Sequence, residues 1–481
     1  WGIVNYGGDK QVWEAPGTQF TAASGGAYVT KSDASNDFRG VDSINFKTNL
    51  LSGSDRSSDL KGKTVVDIVA NEKAFAALLK NGKVICWGDR SYGGNYERIR
   101  LIEKSADVFA QGRASQFAEL SDSFVTNIYA TNTAFAALTS EGKLITWGRE
   151  SGGGAFSNSI DMSTVPNGPS STFGTAGDPK IWHKHALESD WNTDIEGTAF
   201  VKGFVPIKKV YSNISAFAAI KANGSVFAWG DLDSGAGLYQ SDYTDDIDIS
   251  IKLTSGVVKI VPGTKSFAAL KNDGSIVVWG DSNKGGRSDG SFGGSTTATR
   301  GYPPNPLLDV SDNSKIIAKN EGVRMHKYIE IFSTYNRNKY YGDDSCAFAA
   351  LKEDGSVTTW GTPGYGGDQL LYTNNHTTGN GPGTSSDGVR PQLRSGVVKI
   401  YSNPTSFAAV KKDGTLVTWG YVGKGATSAA DILQAGANAV DIVGNGSAFA
   451  ALKNDGSIVT WGEKKKGGDF TFSQPNTKPV G

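Results

Sequence analysis

Seven tryptophans stand at one fixed place in a recurring phrase, each followed by glycine: Trp87, Trp147, Trp229, Trp279, Trp360, Trp419 and Trp461. A ring of indoles repeated in this way could stack on sugar rings, which would make a carbohydrate-binding protein. The competing reading is packing between neighbouring repeats. Each indole ends an apolar run of strand type, so packing is favoured. Trp182-His183-Lys184-His185 offers two imidazoles that a strand would turn to one side. The chain has only four histidines and no third ligand lies nearby in sequence, so no metal site is expected. We read this stretch as a surface loop, with Trp182 and Trp191 anchoring a long insertion and available for binding. The acidic run Asp242, Asp245, Asp246 and Asp248 matches neither the EF-hand loop nor the nonapeptide Ca²⁺ repeat, and reads as a solvated loop.

Tyr335-Asn336-Arg337-Asn338-Lys339-Tyr340-Tyr341 interrupts the fifth repeat. Tyrosine with arginine is the composition of binding hot spots. Tyr335, Asn336, Arg337, Tyr340 and Tyr341 are therefore the preferred contact residues. Gly286-Arg287-Ser288-Asp289-Gly290 spells a GxSxG string, but it lies in a Gly/Ser-rich loop without the strand–turn–helix setting of a nucleophile elbow. No P-loop, HExxH or CxxC occurs. No catalytic residue and no cofactor is expected. Asn213, Asn223, Asn375 and Asn445 head N-x-S/T sequons, a few of which chance alone would supply.

Charge narrows the partners. Lys and Arg number 48 against 48 Asp and Glu. Binding through nucleic-acid phosphates would call for a basic excess, so a nucleic-acid partner is not expected. No run of 18 apolar residues exists, and insertion into a bilayer is not expected either. Cys86 and Cys346 stand in different contexts and cannot form a disulfide framework.

These residues are positioned by a unit written seven times. Its clearest copy is Val257 to Gly286, VVKIVPGTKSFAALKNDGSIVVWGDSNKGG. The shared core reads (V/I)xx(I/V)…(A/S)FAA(L/I/V)…(D/N/E)G(S/K/T)(V/I/L)xxWG, usually with a Gly pair soon after. Successive Trp-Gly pairs from Trp1 to Trp461 lie 86, 60, 82, 50, 81, 59 and 42 residues apart. Nearly all the excess falls between one Trp-Gly and the next V-x-x-I, as expected of a rigid scaffold carrying variable loops. V-x-x-I suits a short, largely buried strand. In Phe267-Ala268-Ala269-Leu270 one large ring beside two small side chains would let neighbouring sheets approach. Asp273-Gly274 between apolar runs is a hairpin signal. Helical periodicity appears nowhere over a useful length.

Three strands are thus evident in each unit, and the stretch after the Gly pair could supply a fourth. Such units bury their faces only by stacking on one another. The expected class is all-β: a seven-bladed β-propeller of four-stranded antiparallel blades with long inter-repeat insertions, read as one domain over residues 1–481. Repeat cores fall at about 64–94, 124–154, 207–237, 257–286, 328–368, 397–425 and 440–469. The structural core of the repeats should be the paired rings Phe75 and Trp87, Phe135 and Trp147, Phe217 and Trp229, Phe267 and Trp279, Phe348 and Trp360, Phe407 and Trp419, and Phe449 and Trp461. Residues 1–9, WGIVNYGGD, match the closing phrase of a repeat, so the chain is expected to begin inside one. Either a terminal strand near Gln11 to Trp13 pairs with the blade that holds Phe449 and closes the ring, or the fragment is the remnant of an eighth unit.

The (A/S)FAALxxDGxVxxWG core with its Gly pair resembles the regulator of chromosome condensation repeat family, over roughly half of the chain. The resemblance implies a seven-bladed propeller that binds other proteins. Ala74-Phe75 and Ser406-Phe407 stand where the family has His-Ser or His-Thr. Gly366-Gly367-Asp368 stands where it has Gly-Gln-Leu-Gly. The chain is a divergent branch, and these departures disfavour an intracellular exchange-factor role. The expected function is a non-enzymatic protein-interaction scaffold in a secreted or cell-surface assembly. The alternatives are a carbohydrate-binding propeller and an intracellular regulatory module.

Overall fold

The computed structural model describes residues 18–24, 27–32, 38–42, 63–94, 124–154, 205–237, 239–241, 246–248, 252–281, 284–286, 327–335, 345–367, 389–426 and 439–468. Among them there is no α-helix, and no helix long and apolar enough to cross a membrane. The chain divides into two compact units, Trp1–Ser255 and Gly256–Gly481.

The first unit opens with an antiparallel meander of β1 (Thr18–Ser24), β2 (Ala27–Ser32) and β3 (Phe38–Asp42). Three blades follow. They are β4 (Val65–Ala70), β5 (Ala74–Leu79) and β6 (Val84–Gly88); β7 (Val125–Ala130), β8 (Ala134–Thr139) and β9 (Leu144–Gly148); then β10 (Ile207–Ser212), β11 (Ala216–Lys221) and β12 (Val226–Gly230). A two-stranded ribbon, β13 (Tyr239–Ser241) and β14 (Asp246–Asp248), comes after them. Part of the acidic run expected as a loop is therefore a paired strand.

The second unit holds four blades. These are β15 (Val257–Pro262), β16 (Ser266–Lys271) and β17 (Ile276–Gly280); β18 (Tyr328–Ser333), β19 (Ala347–Lys352) and β20 (Val357–Gly361); β21 (Val397–Ser402), β22 (Ser406–Lys411) and β23 (Leu416–Gly420); and β24 (Ala439–Gly444), β25 (Ala448–Lys453) and β26 (Ile458–Gly462).

The architecture is all-β and seven-bladed, as the repeat implies, with three strands per blade rather than four among the described residues. After β6, Gly88 takes φ +113° and a 3₁₀ turn, Arg90–Tyr92, follows. Residues 1–13, and with them the half repeat and the terminal strand, lie outside the described residues.

V-x-x-I differs from expectation. Its pairing shifts register between Val65 and Asp67, and a bulge of the same kind recurs in all seven blades. A bulge turns one extra residue out of the ladder. That residue is exposed in Val66, Val258, Ile329, Val398 and Val440, so the strand is half-buried rather than largely buried.

The central strand is buried on both faces, and alternation sends successive side chains to opposite sides. Ala74, Ala76 and Leu78 face Phe135, Ala137 and Trp147 of the second blade, while Phe75, Ala77 and Leu79 form a separate cluster on the other side. Small residues of one blade meet the large rings of the next throughout each unit. Ala134 and Ala136 meet Phe217 and Trp229; Ala268 meets Phe348 and Trp360; Ala347 and Ala349 meet Phe407 and Trp419; Ala408 meets Phe449 and Trp461. This small-on-large complementarity lets adjacent sheets close without voids.

Candidate functional site

Each Phe of the central strand lies directly opposite its blade's Trp, as in Phe75 with Trp87 and Phe267 with Trp279. Direct cross-strand partners are close enough to stack. All seven pairs do so, with centroids 5.0–5.4 Å apart. Trp229 and Trp279 are fully buried, Trp147, Trp360, Trp419 and Trp461 nearly so, and Trp87 half-buried. The indole nitrogens of Trp360, Trp419 and Trp461 donate to the carbonyls of Gly285, Gly366 and Gly425 in the preceding blade, at 3.0–3.2 Å. Their faces and their polar edges are thus engaged within the fold.

The glycine pair explains itself at the same seam. A Cβ on Gly93, which has φ +88°, would lie 2.8 Å from the Trp147 ring of the next blade. A Cβ on Gly94 would lie 2.3 Å from the backbone of Gly88 in its own blade. One glycine admits the neighbouring aromatic pair; the other folds the turn back on Trp-Gly.

A second device ties this turn to the blade. Asn71 donates through Nδ2 to Tyr92 O at 2.7 Å, and its Oδ1 accepts from the amides of Lys73 and Ala74. Asn213 and Asn445 make the same three bonds, to Ser234 O and Lys466 O and from the amides that follow. Asn403 reaches Lys424 O, and Thr131 reaches Gly152 O with its hydroxyl. Sequence reasoning noticed Asn213 and Asn445 only as sequons. The signal was an Asn four residues before Phe in four of the repeats. Asn213 is buried and its amide is committed to the fold.

These bonds place two kinds of connection at one end of each blade. The turn between the first and second strands lies beside the turn after Trp-Gly, because Ala74 pairs with Gly88. In the fifth blade the same end is tied by Thr362 N to Cys346 O at 2.8 Å. The long insertions after Trp-Gly and the tyrosine-rich insertion at 335–341 therefore depart from the same blade end. We call it the insertion edge. At this edge cationic side chains cover tyrosine rings, of which Tyr92 and Tyr365 are buried and Tyr421 half-buried. Lys73 and Arg149 both lie 4.8 Å from the ring of Tyr92, and Lys424 lies 5.0 Å from Tyr421, which meets Tyr365 edge-on.

Of the contact residues expected from sequence, Tyr335 is described: it is half-buried and packs against the cluster containing Phe348 and Trp360. Asn336, Arg337, Tyr340, Tyr341, Trp182 and Trp191, with the His183/His185 pair, lie outside the described residues. So do Arg287 to Gly290 of the GxSxG string. Among the described residues no group of three or more His, Cys, Asp or Glu is placed to hold a metal ion.

The opposite edge carries the tight hairpins. Asp273, Asp413 and Asp455 each accept from the amide and hydroxyl of the Ser or Thr two residues on. Those bonds hold the carboxyls of Asp413 and Asp455 below the usual range. At Asp273 burial pushes upward, but the Ser275 hydroxyl and amide and the charge of Lys271 outweigh it, and the net displacement is downward. Along the first strands, Lys259 pairs with Glu330 across blades, and Tyr401 donates to Asp441 at 2.9 Å with Lys399 at 3.3 Å. The Tyr401 hydroxyl, then Lys399, hold the Asp441 carboxyl below its ordinary value.

No protein-family model and no curated protein matches this chain. Among solved structures, similar chains include Prp20p from Saccharomyces cerevisiae, 16% identical over 75% of this chain and 72% of that one, with a TM-score of 0.34. The ectodomain of the Physcomitrella patens receptor kinase CR4 is 11% identical over 83% and 74%, with a TM-score of 0.30. The computationally designed Ika8 protein is 9% identical over 93% of each chain, with a TM-score of 0.29.

Proposed function

We propose that this chain is a non-enzymatic protein-interaction scaffold whose contacts are made at the insertion edge. One observation carries the reading: the repeated residues are consumed by packing within and between blades, whereas the variable segments leave at the insertion edge and connect it to the hairpin end, where the next first strand begins. Invariance then serves the frame and variation serves recognition. The paired rings and the Asn bonds hold that end rigid, which lowers the ordering cost of binding there. Tyr335 fits the role of an anchor at the root of the contact loop Asn336 to Tyr341. Six of the seven Trp-Gly indoles are buried and Trp87 is half-buried, which favours packing over sugar stacking and leaves a carbohydrate reading to the insertions. The secreted or surface setting is carried over from composition. Its test is whether the chain made in its native cells is recovered from the medium or the cell surface.

The scaffold reading is tested by recovering the partner from the native source and then excising insertions singly, for example residues 157–202 or 289–324, with short linkers in their place. Partner binding should fall at least ten-fold for one excision or more, with thermal stability unchanged. Binding that survives every excision would overturn the proposal.

A further inference from the structure

The seven hairpin tips share one geometry and differ in one chemical respect. Asp-Gly forms the tip in four blades and Glu-Gly in one, but the first and third blades have Asn81-Gly82 and Asn223-Gly224. An asparagine followed by glycine is open to attack on its own side chain, because glycine leaves the following backbone nitrogen unshielded. We infer that Asn223 is a modification site, converted spontaneously to an acidic residue by intramolecular deamidation, and that the hairpin is built to accept the product.

Two observations select Asn223. Its Oδ1 accepts from Ser225 N at 3.0 Å and from Ser225 Oγ at 2.7 Å. Two donors on that oxygen polarise Cγ and stabilise the negative charge that gathers on the oxygen as Cγ is attacked. Asn81 has one such bond, from Lys83 N at 3.2 Å, and its glycine is buried and pinned to the next blade by Val125 N to Gly82 O. Asn445-Gly446 is the third such pair among the described residues, but Asn445 Nδ2 donates to Lys466 O at 2.7 Å. Conversion there would set a carboxylate against a carbonyl. Asn167-Gly168 and Asn380-Gly381 lie outside the described residues, and peptide mass spectrometry separates their conversion from that of Asn223.

The chemistry needs only water. The Gly224 nitrogen, freed from its bond to Lys221 O by local opening of the tip, loses its proton to solvent and attacks Asn223 Cγ. The bond from Cγ to the amide nitrogen breaks, that nitrogen leaves as ammonia, and a succinimide remains. Water then adds to one of its two carbonyl carbons, giving aspartate or isoaspartate. One water is consumed and one ammonia released. The aspartate product is already exemplified in this fold. Asp273 accepts from Ser275 N at 2.8 Å and Ser275 Oγ at 2.6 Å, the bonds that Asn223 makes.

The test is a time course of the intact protein in mildly alkaline buffer, read by peptide mass spectrometry and isoelectric focusing. Asn223 should convert at least several-fold faster than Asn81 or Asn445. Ser225→Ala should slow it about five-fold, the rate equivalent of one hydrogen bond of ~1 kcal/mol. Ser225→Thr should keep the rate, since Thr415 makes the same contact to Asp413. Asn223→Asp should match the parent in thermal stability. Conversion at Asn223 no faster than at Asn445 would overturn the inference, as would a Ser225→Ala rate equal to or above that of the parent. If Ser225→Ala does not fold, loss of the rate in Ser225→Thr overturns it instead.

Discussion

Asn213 and Asn223 stand ten positions apart in one blade, head the same kind of sequon, and do different work. Asn213 spends its amide on Ser234 O and on two backbone donors in a buried turn. Asn213→Ala should cost about 1–3 kcal/mol, the penalty of stranding buried backbone groups, while Asn223→Ala should stay within about 0.5 kcal/mol in chemical denaturation. Trp360→Phe keeps a ring against Phe348 but strands Gly285 O and leaves a small cavity, so it should cost about 2–4 kcal/mol. The roles of Phe and Trp were legible because both recur at fixed places flanked by apolar residues. That of Asn was obscured: its partner lies 21 residues away and is a backbone carbonyl, which leaves no mark in side-chain identity.

Hairpins and seams set the behaviour of each element. The carboxyls of Asp413 and Asp455 are depressed in the folded state, so their contribution is present above the unfolded carboxylate value and is lost as pH falls through the folded one. Acid unfolding followed by circular dichroism should show Asp413→Asn slightly less stable than the parent near neutrality, with a shallower acid limb and the two converging as pH falls. At the seams, Gly93→Ala should cost about 2–4 kcal/mol, combining a left-handed backbone with intrusion on Trp147. Gly446→Ala meets nothing within 4 Å and should be close to neutral. The hairpin was readable from Asp-Gly between apolar runs. The bulge in V-x-x-I was not, since Val66 and Val258 look like core residues in sequence and only the register of pairing turns them outward. The glycines after Trp close a turn against neighbouring rings, a packing role that a one-dimensional pattern does not show.

At the scale of the whole chain, seven frames of nearly constant sequence carry connections of very unequal length, and within each unit every frame seats its small face on the next frame's rings. The blade count and all-β class could be read from periodicity, because a repeat that cannot bury its own faces must be stacked. The site was less legible: the tyrosine-rich insertion stands out by composition, whereas the shared departure of all insertions from one blade end follows from the pairing of Ala74 with Gly88 and its counterparts. The most direct test of the division between frame and recognition measures two quantities on one set of variants, partner affinity and thermal stability. Excising an insertion should weaken binding at least ten-fold and leave the melting temperature unchanged, while Phe407→Ala should lower stability by about 3–5 kcal/mol and spare affinity below its melting point. The account is contradicted if binding persists through every excision, or if it is lost on changing the hairpin edge while the insertions remain intact.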